Sequence, residues 1–244
     1  MGGADGGDDE RPARRVYVGE FLVGRFPVTQ DEYARFVRAT GYPPPDVREP
    51  PLIASGSDEL FRDLAARYAW RDGAPPDGHG SHPVVLVKYE DATAYCRWLT
   101  ESIGQVIRLP TEAEWEKAAR GGVDGLKYPW GNEIDPSRAT FLADPASKPQ
   151  RGTRPTGTYP PNAYGLYDMA GNVWEWVSDW YGRDYYAAGD PVDPKGPASG
   201  ALRIVRGGSW VNDDVSMLRC AYRHKVPPDT YAYSIGFRIV CAER

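Results

Sequence analysis

The chain has 244 residues, enough for one large domain or two small ones at about 100–200 residues per domain. Its 27 glycines and 23 prolines make up about a fifth of the sequence, against an ordinary share of about 12%, which predicts many turns and few long helices. Aromatic residues form 12% of the chain, too many for a disordered protein, and the net charge of −5 excludes general nucleic-acid binding.

Membrane and disulfide-based classes are excluded by the sequence as well. No apolar run approaches the roughly 20 residues of a membrane-spanning helix, and residues 1–5 do not resemble a signal peptide. The three cysteines are odd in number and widely spaced, so they form neither a disulfide framework nor a zinc site made of cysteine alone. We therefore expect a cytoplasmic protein without membrane or nucleic-acid partners.

The first forty residues predict a strand and a helix. Residues 1–12 are rich in Gly and Asp and are expected to be frayed. Residues 15–26 show a strand-like alternation that runs into a second apolar stretch. Thr29 and Glu32 form a capping box that can satisfy the free amides of a helix start, and Gly41 suits the end of that helix.

The middle of the chain predicts a loop, a strand and three helices. Residues 42–57 carry five prolines and predict a loop, which a short helix follows at about 58–68. Residues 84–88 are a candidate buried strand. A second capping box predicts a helix at 111–121. Between them, a helix at 89–100 is predicted by an apolar stripe at Ala92, Tyr95, Cys96 and Leu99.

Helical periodicity disappears after residue 122. The last part of the chain is rich in Gly, Pro, Trp and Tyr and predicts short strands at 202–205 and 235–241. The second of these has four apolar side chains on one face, at Ile235, Phe237, Ile239 and Cys241. Because there is no internal repeat and no low-complexity linker, we predict a single α+β domain over residues 1–244, with little regular secondary structure.

Common catalytic and cofactor motifs are absent from the sequence. His79, His82 and His224 lie in separate segments and show none of the spacings of zinc or mononuclear iron ligands. There is no phosphate-binding glycine loop and no Gly-x-Ser-x-Gly nucleophile motif. Ser209 follows two glycines, which could expose it on a tight turn or could simply turn a strand. No two cysteines have Cys-x-x-Cys spacing, so a redox pair would need residues distant in sequence.

One acidic segment has the composition of a calcium site. Asp168-Met-Ala-Gly171-Asn-Val173-Trp-Glu175 places two carboxylates and an amide around a glycine that lets backbone carbonyls point inward. Hard oxygen ligands of this kind suit Ca²⁺, although the spacing is not that of an EF-hand. From the residues alone, a solvated charged loop is the other interpretation.

Ordered motifs over nearly the whole chain resemble those of the formylglycine-generating enzyme (sulfatase-modifying factor) family. They are Phe26-Pro-Val-Thr29, His82-Pro-Val-Val, Asp91-Ala-x-Ala-Tyr-Cys-x-Trp98, Arg108-Leu-Pro-Thr-Glu-Ala-Glu-Trp-Glu116, Tyr128-Pro-Trp-Gly-Asn132, Asn162-Ala-Tyr-Gly-Leu-Tyr-Asp-Met-Ala-Gly-Asn-Val-Trp-Glu-Trp176, Arg206-Gly-Gly-Ser-Trp210 and Gly236-Phe-Arg238. The resemblance implies a single irregular α+β domain with a C-type-lectin-like core.

The resemblance also implies that the reactive centre of the family is missing here. The generating enzymes hold copper(I) with two cysteines and oxidise a substrate cysteine with O₂. Their first cysteine position falls on Asn212, and the second falls on Ser216 or Met217, depending on a one-residue gap. Two thiolates select Cu(I), so no copper is expected in this chain. Ser209 and Trp174, which line the family's pocket, are both present.

The resemblance implies that one further cysteine of the family is present here without its disulfide partner. Cys220 matches one half of a structural disulfide whose other half would sit at Ala118 or Ala119, so Cys220 should be a free thiol. The family usually begins with a strand that ends in a Met-Gly-Ser-like turn, and we expect that strand to be missing before Met1. Either the true start lies upstream, or an open sheet edge is left that could pair with another chain.

Without the cysteine pair, the resemblance favours a non-catalytic protein that binds a peptide, a protein or a small molecule in a pocket built around residues 209–235. The alternative is an oxygen-dependent oxidoreductase with altered chemistry, working from Ser209, Trp174, Asn212 and Asp213 or Asp214. The family also includes iron-dependent sulfoxide synthases, siderophore tailoring proteins and the variable ligand-binding proteins of retroelements. The candidate pocket residues are Trp174, Ser209, Trp210, Asn212, Asp213, Asp214 and Arg223.

Family members can hold two calcium ions, and the resemblance implies one here. Asp168 and Glu175 would supply side-chain oxygens to a structural Ca²⁺, and Gly171 and Val173 would supply carbonyls. The other site needs a carboxylate at the position of Lys148, where a cation repels Ca²⁺. We therefore expect one structural calcium ion and no other cofactor.

Overall fold

The computed structural model describes residues 1–3, 6–47, 58–142 and 152–242, and Lys148 lies outside these ranges. Regular structure in the described part consists of five helices and seven short strands. The helices are α1 (Gln30–Thr40), α2 (Asp58–Ala65), α3 (Tyr89–Ile103), α4 (Glu112–Arg120) and α5 (Tyr185–Ala188). The strands are β1 (Phe21–Val23), β2 (Ile107–Arg108), β3 (Trp174–Trp180), β4 (Arg203–Arg206), β5 (His224–Val226), β6 (Ile235–Phe237) and β7 (Val240–Ala242).

The strands form two small sheets. The three-stranded sheet has the order β1-β7-β2 and is antiparallel throughout. The four-stranded sheet has the order β5-β4-β3-β6, with β6 parallel to β3 and the other pairs antiparallel. Together with the helices, the two sheets make up a single-domain α+β fold in which loops are long and sheets are short.

The four-stranded sheet is covered on both faces, so its strands are buried almost throughout. Trp174 and Trp176 pack into the largest core cluster, which contains side chains of α1 and α3. Val177 instead packs with Trp115 of α4. This alternation follows from the two-residue repeat of a strand, which sends successive side chains to opposite faces.

The predicted helices from residue 29 to residue 121 are present, with short differences at their ends. Thr29 and Thr111 both accept the hydrogen bond of a capping box, and Gly41 and Gly121 adopt the left-handed conformation at the helix ends. These signals are local, since they involve residues three or four apart in sequence. α5 was not predicted, because a four-residue helix has too few positions to show a period.

Two strand predictions are wrong. Residues 84–88 form no strand, because Leu86 has a left-handed backbone (φ 61°) that breaks the extended conformation. The predicted strand at 235–241 is divided into β6 and β7, which belong to different sheets. Between them, Arg238 sends its side chain to the buried carboxylate of Glu175 on the α4 side of the sheet.

The amino terminus is not frayed in its described part, contrary to the prediction for residues 1–12. Glu10 is buried and forms a bidentate ion pair with Arg219, with distances of 2.6 and 2.7 Å. Asp9 accepts hydrogen bonds from Tyr181 and Lys225. Acidic residues that would solvate a loose tail therefore anchor this segment to a basic surface. None of the helices in the described ranges has the length and apolar character needed to cross a membrane.

Candidate functional site

The candidate site begins where β4 ends. Gly207 and Gly208 both have positive φ, at 96° and 73°, and turn the chain sharply before Ser209. A side chain at Gly208 would approach the backbone oxygen of Met217 to 3.1 Å, so the turn can lie close to the residues that follow it. This packing brings the two ends of the segment 209–217 together.

Asn212 and Met217 are in direct contact. The Oδ1 of Asn212 accepts hydrogen bonds from the backbone amide and the hydroxyl of Ser209, at 2.7 and 2.9 Å. Its Nδ2 lies 3.0 Å from the Sδ of Met217. Ser216, the other candidate, donates its hydroxyl to Asp214 instead. The structure thus pairs Asn212 with Met217 in space, an amide beside a thioether.

Aromatic side chains form a wall beside the contact between Asn212 and Met217. The rings of Trp174 and His224 stack with centroids 4.9 Å apart, and Tyr222 lies 6.0 Å from Trp174. Met217 and Tyr222 pack against the same core cluster as Trp174. Burial and the neighbouring Lys225 lower the pKa of His224, which keeps this imidazole neutral.

From the sequence, His224 was one of several aromatic and charged residues expected to form a recognition surface between residues 211 and 235, and its contact with Trp174 was not predicted. It pairs with Val205 in the register between β4 and β5, and this cross-strand pairing carries it to the sheet face that also holds Trp174. The three-residue strand β5 shows too little alternation to be recognised in the sequence. A longer alternating pattern around residue 224 would have been the signal.

An open cavity of about 480 Å³, here called the Tyr222 cavity, lies beside this wall. It shares Ser216 and Tyr222 with the surroundings of the Asn212–Met217 contact. Its lining residues are Gly6, Gly7, Asp9, Glu10, Lys127, Tyr128, Val215, Ser216, Arg219, Tyr222, Arg223 and Lys225. A volume of this size is in the range of small-molecule sites, about 300–1,000 Å³.

The predicted pocket residues are only partly brought together. Trp174 and Ser209 are buried beneath the site, and Arg223 forms part of the wall of the Tyr222 cavity. Asp214 caps the helical turn at Val215–Leu218 that forms another wall, and Asp213 is exposed.

Trp210 belongs to a different part of the molecule. It is buried in a cluster with Phe61 and Tyr231, and its indole donates a hydrogen bond to the backbone oxygen of Tyr233. It is therefore not among the residues that line the Tyr222 cavity.

Most charges of the Tyr222 cavity are paired. Arg219 binds Glu10, and Lys225 binds Asp9 at 2.9 Å. Arg223 forms two hydrogen bonds with the buried carboxylate of Glu112, at 2.8 and 3.0 Å. The pairs of Arg219 and Arg223 are buried, so breaking either of them would leave a buried charge without a partner, whereas the pair of Lys225 and Asp9 is partly exposed.

The three cysteines offer no replacement for the missing pair. All are free thiols, and burial raises the pKa values of Cys96 and Cys220 to about 12, so neither is a thiolate. The prediction that Cys220 is free is confirmed, and it packs in one cluster with Ala118 and Ala119. Cys241 lies on β7 of the three-stranded sheet. Within the described ranges, no three His, Cys, Asp or Glu side chains converge as a metal site.

The segment predicted to bind calcium supports the turn of the candidate site. The amide of Gly171 donates to the carbonyl of Gly207, and the amide of Trp210 donates to the carbonyl of Asn172. Gly171 has a φ of 73° and approaches Thr140 so closely that no side chain could be added. The segment and the turn are therefore held to each other by backbone hydrogen bonds.

The donor groups of this segment fit a calcium ion in part. Burial, with a smaller contribution from the charge of Glu175, raises the pKa of Asp168. Among the described contacts, the carbonyls of Gly171 and Val173 accept no hydrogen bond. Glu175 is already bound by Arg238 and by the indole of Trp115, so its oxygens would have to be shared. Two carboxylates against one guanidinium leave a net negative charge for the ion.

Comparisons with known proteins agree with this fold. Residues 1–243 match the sulfatase-modifying factor enzyme 1-like domain family. The formylglycine-generating enzyme of Thermomonospora curvata is 38% identical over 275 residues, covering 98% of this chain and 88% of that protein. The inactive C-alpha-formylglycine-generating enzyme 2 of Mus musculus is 35% identical over 270 residues, covering 96% and 79%.

Two further similarities concern length and fold. The serine/threonine-protein kinase pkn1 of Chlamydia pneumoniae is 40% identical over 252 residues, which are 99% of this chain but 36% of the kinase. The chain therefore spans about a third of the length of that relative. The structure of PvdO from Pseudomonas aeruginosa matches with a TM-score of 0.76 and 27% identity, covering 100% of this chain and 90% of that chain. On these grounds, the chain belongs to the formylglycine-generating enzyme (sulfatase-modifying factor) family.

Proposed function

We propose that the chain is a non-catalytic, ligand-binding member of this family and that the Tyr222 cavity holds the ligand. The observation that carries the proposal is the contact between Asn212 and Met217, with Nδ2 and Sδ 3.0 Å apart. The family's copper is held by two thiolates, and here a thioether and an amide occupy those positions. An amide is a poor ligand for Cu(I), so the pair cannot act as a two-sulfur site.

The rest of the site supports binding without oxidation. The buried thiols have raised pKa values, so they supply neither a nucleophile nor a metal ligand. The mouse relative named as inactive is as similar in length and identity as relatives named as enzymes, so family likeness alone does not imply activity. The Tyr222 cavity lies beside the contact between Asn212 and Met217, as expected for a protein that binds a ligand without oxidising it.

The oxidoreductase alternative would have to use the retained residues. Ser209 donates its hydroxyl to Asn212 and is fully buried, so it is not presented to a substrate. Asp214 is occupied as a helix cap by the amide and hydroxyl of Ser216. Neither arrangement favours catalysis. Copper binding or aldehyde formation in the test below would support the oxidoreductase function.

The test is to measure copper binding and oxidation directly. Purified protein should lose all Cu(I) to a competing chelator and should convert no cysteine to aldehyde in a cysteine-containing peptide, as read by mass spectrometry with added copper and O₂. A formylglycine-generating enzyme with both cysteines, assayed in parallel, is the positive control. Stoichiometric Cu(I) retention, or aldehyde formed above the protein-free control, would contradict the proposal.

We also propose that one structural calcium ion binds between Asp168 and Glu175, with carbonyl ligands from Gly171 and Val173. Its support is that the carboxylates of Asp168 and Glu175 lie near a single guanidinium, that of Arg238, and that two nearby carbonyls have no described donor. The ion would act through the backbone bond from Gly171 to Gly207, and so would stiffen the turn that presents Ser209. Its role is structural, because these ligands lie behind the candidate site.

Thermal unfolding with Ca²⁺ or EGTA tests the calcium site. A ligand that binds only the folded state at a hundredfold excess over Kd stabilises by about 2.7 kcal/mol, which corresponds to a Tm increase of roughly 5–10 °C at this chain length. Asp168→Asn should abolish the increase. In EGTA this variant should be at least as stable as the wild type, since it removes a charge that burial disfavours.

The matched control for this experiment is Asp229→Asn, which removes a carboxylate from an exposed position. It should keep the full calcium-dependent increase in Tm. Glu175→Gln is a poorer test, because it also breaks the ion pair with Arg238. Equal Tm values for the wild type in Ca²⁺ and EGTA would remove the calcium site.

A further inference from the structure

The Tyr222 cavity has more free hydrogen-bond donors than free acceptors. Its two lining carboxylates, Asp9 and Glu10, are both engaged by cations. Asp9 also accepts the hydroxyl of Tyr181 at 2.8 Å, and Glu10 is held by both terminal nitrogens of Arg219. A ligand in the cavity therefore finds these carboxylates already satisfied.

Lys127 is different from the other cations of the cavity. Its backbone amide donates to Asn132, and its ammonium lies 5.6 Å from the centre of the Tyr128 ring. Among the residues described by the structure, no carboxylate lies within ion-pair distance of this ammonium, whereas Arg219, Arg223 and Lys225 each have one. The ammonium carries three donors and one charge that the protein leaves unmatched.

Two phenols add to the donor excess. Tyr128 and Tyr222 line the cavity, and no described group accepts their hydroxyl protons. Burial raises the pKa of both, so both hydroxyls stay protonated at neutral pH and remain available as donors. The guanidinium of Arg219 lies 5.8 Å from the centre of the Tyr222 ring, while its charge is paired with Glu10.

Negative charge near the rim is limited. Asp214 influences both tyrosines, but its two oxygens already accept the amide and the hydroxyl of Ser216. Glu133 also acts on Tyr128 from outside the lining. Neither carboxylate lines the cavity.

The cations of the cavity already bind carboxylates of this chain. The acidic turn at Asp8–Glu10 lies across one side of the cavity and delivers two carboxylates to Lys225 and Arg219. This intramolecular contact shows that the surface binds carboxylates among its cations. Lys127 lines the same cavity and is available to bind one further carboxylate.

We propose that the Tyr222 cavity binds its ligand through an anionic group, a carboxylate or a phosphate, held by Lys127 with the hydroxyls of Tyr128 and Tyr222. The inference rests on the proposed binding function and names the class of ligand. Lys127 is the residue that selects the charge, because every other cation of the cavity is already neutralised. The ligand body would extend towards Tyr222 and the Asn212–Met217 contact.

Calorimetric titration of the whole chain tests the charge requirement with three probes. These are acetyl-Tyr-Glu-Glu-amide, its uncharged counterpart acetyl-Tyr-Gln-Gln-amide and inorganic phosphate. The glutamate peptide should bind about tenfold or more tightly than the glutamine peptide, and raising NaCl from roughly 50 to 500 mM should weaken it. If inorganic phosphate binds saturably, the ligand is assigned as free phosphate. If the glutamate peptide binds and inorganic phosphate does not, the ligand is assigned as a carboxylate.

Variants of Lys127 test whether the charged probe binds in the Tyr222 cavity. Lys127→Glu should weaken the charged probe that binds by about tenfold or more, and Lys127→Gln should give a smaller loss. The matched control Lys195→Glu makes the same charge change at an exposed position outside this cavity and should leave the affinity unchanged. An unchanged Tm would show that the variants are folded.

The proposal is overturned if neither charged probe binds, if the glutamine peptide binds as tightly as the glutamate peptide, or if Lys127→Glu binds like the wild type. Such a result with a negative copper test would remove only the anionic ligand and leave the non-catalytic function standing. Copper retention or aldehyde formation, by contrast, would remove the proposed function whatever the titrations showed.

Discussion

The double variant Asn212→Cys/Met217→Cys should bind one Cu(I) per chain, with an affinity several orders of magnitude above that of the wild type. The two side chains are already in contact, with Nδ2 and Sδ 3.0 Å apart, so two thiolates at these positions would face each other. Two soft thiolates are the ligands that Cu(I) prefers. Competition with a Cu(I) chelator, followed by absorbance, measures the gain.

The control for this variant is Asn212→Cys/Ser216→Cys. The side chain of Ser216 is directed to Asp214, so a cysteine there would not face residue 212. This control should bind Cu(I) much more weakly than the first pair. Equal binding by both double variants would show that residue 217 is not the spatial counterpart of the second family cysteine, and the functional argument would lose its main observation.

Glu175→Ala should lower the free energy of unfolding by about 3–5 kcal/mol, the usual cost of leaving one member of a buried ion pair without its partner. The carboxylate of Glu175 accepts two hydrogen bonds from Arg238 and one from the indole of Trp115. Its removal leaves a buried guanidinium uncompensated between the sheet and α4. Chemical denaturation in EGTA gives the value without any contribution from calcium.

Two comparisons separate the ion pair from simple loss of packing. Glu101→Ala, at an exposed position of α3, should change the free energy of unfolding by less than about 0.5 kcal/mol. Glu175→Leu combined with Arg238→Met should be less destabilised than Glu175→Ala, since it removes both buried charges and refills their volume. A double variant as unstable as the single one would show that the lost hydrogen bonds, and not the unpaired charge, set the cost.

The helices of this protein could be predicted because their signals are local. Thr29 with Glu32, Thr111 with Glu114, and the stripe on α3 all use residues three or four positions apart, and each appears as expected. The long ordered motifs identified the family and, through it, the α+β fold. The prediction of a free Cys220 needed the family resemblance as well as the alanines at 118 and 119.

The strands could not be predicted as well, because strands of two to seven residues show little alternation and their partners are distant in sequence. β3 is buried on both faces, so the alternation of apolar and polar residues is lost along it. β6 and β7 look like one strand in the sequence, and only the sheets they join separate them.

The sequence by itself determined the family and the helices of the fold, since these depend on residue identity or on near neighbours, and it predicts the loss of the cysteine pair. The tertiary structure decided that Met217, not Ser216, faces Asn212, because the turn after β4 and the cap at Asp214 set that geometry together. It also anchored the acidic amino terminus to Arg219 and Lys225 and left Lys127 without a described counter-charge. Pairing between charges far apart in sequence depends on distance and burial, which no local pattern encodes.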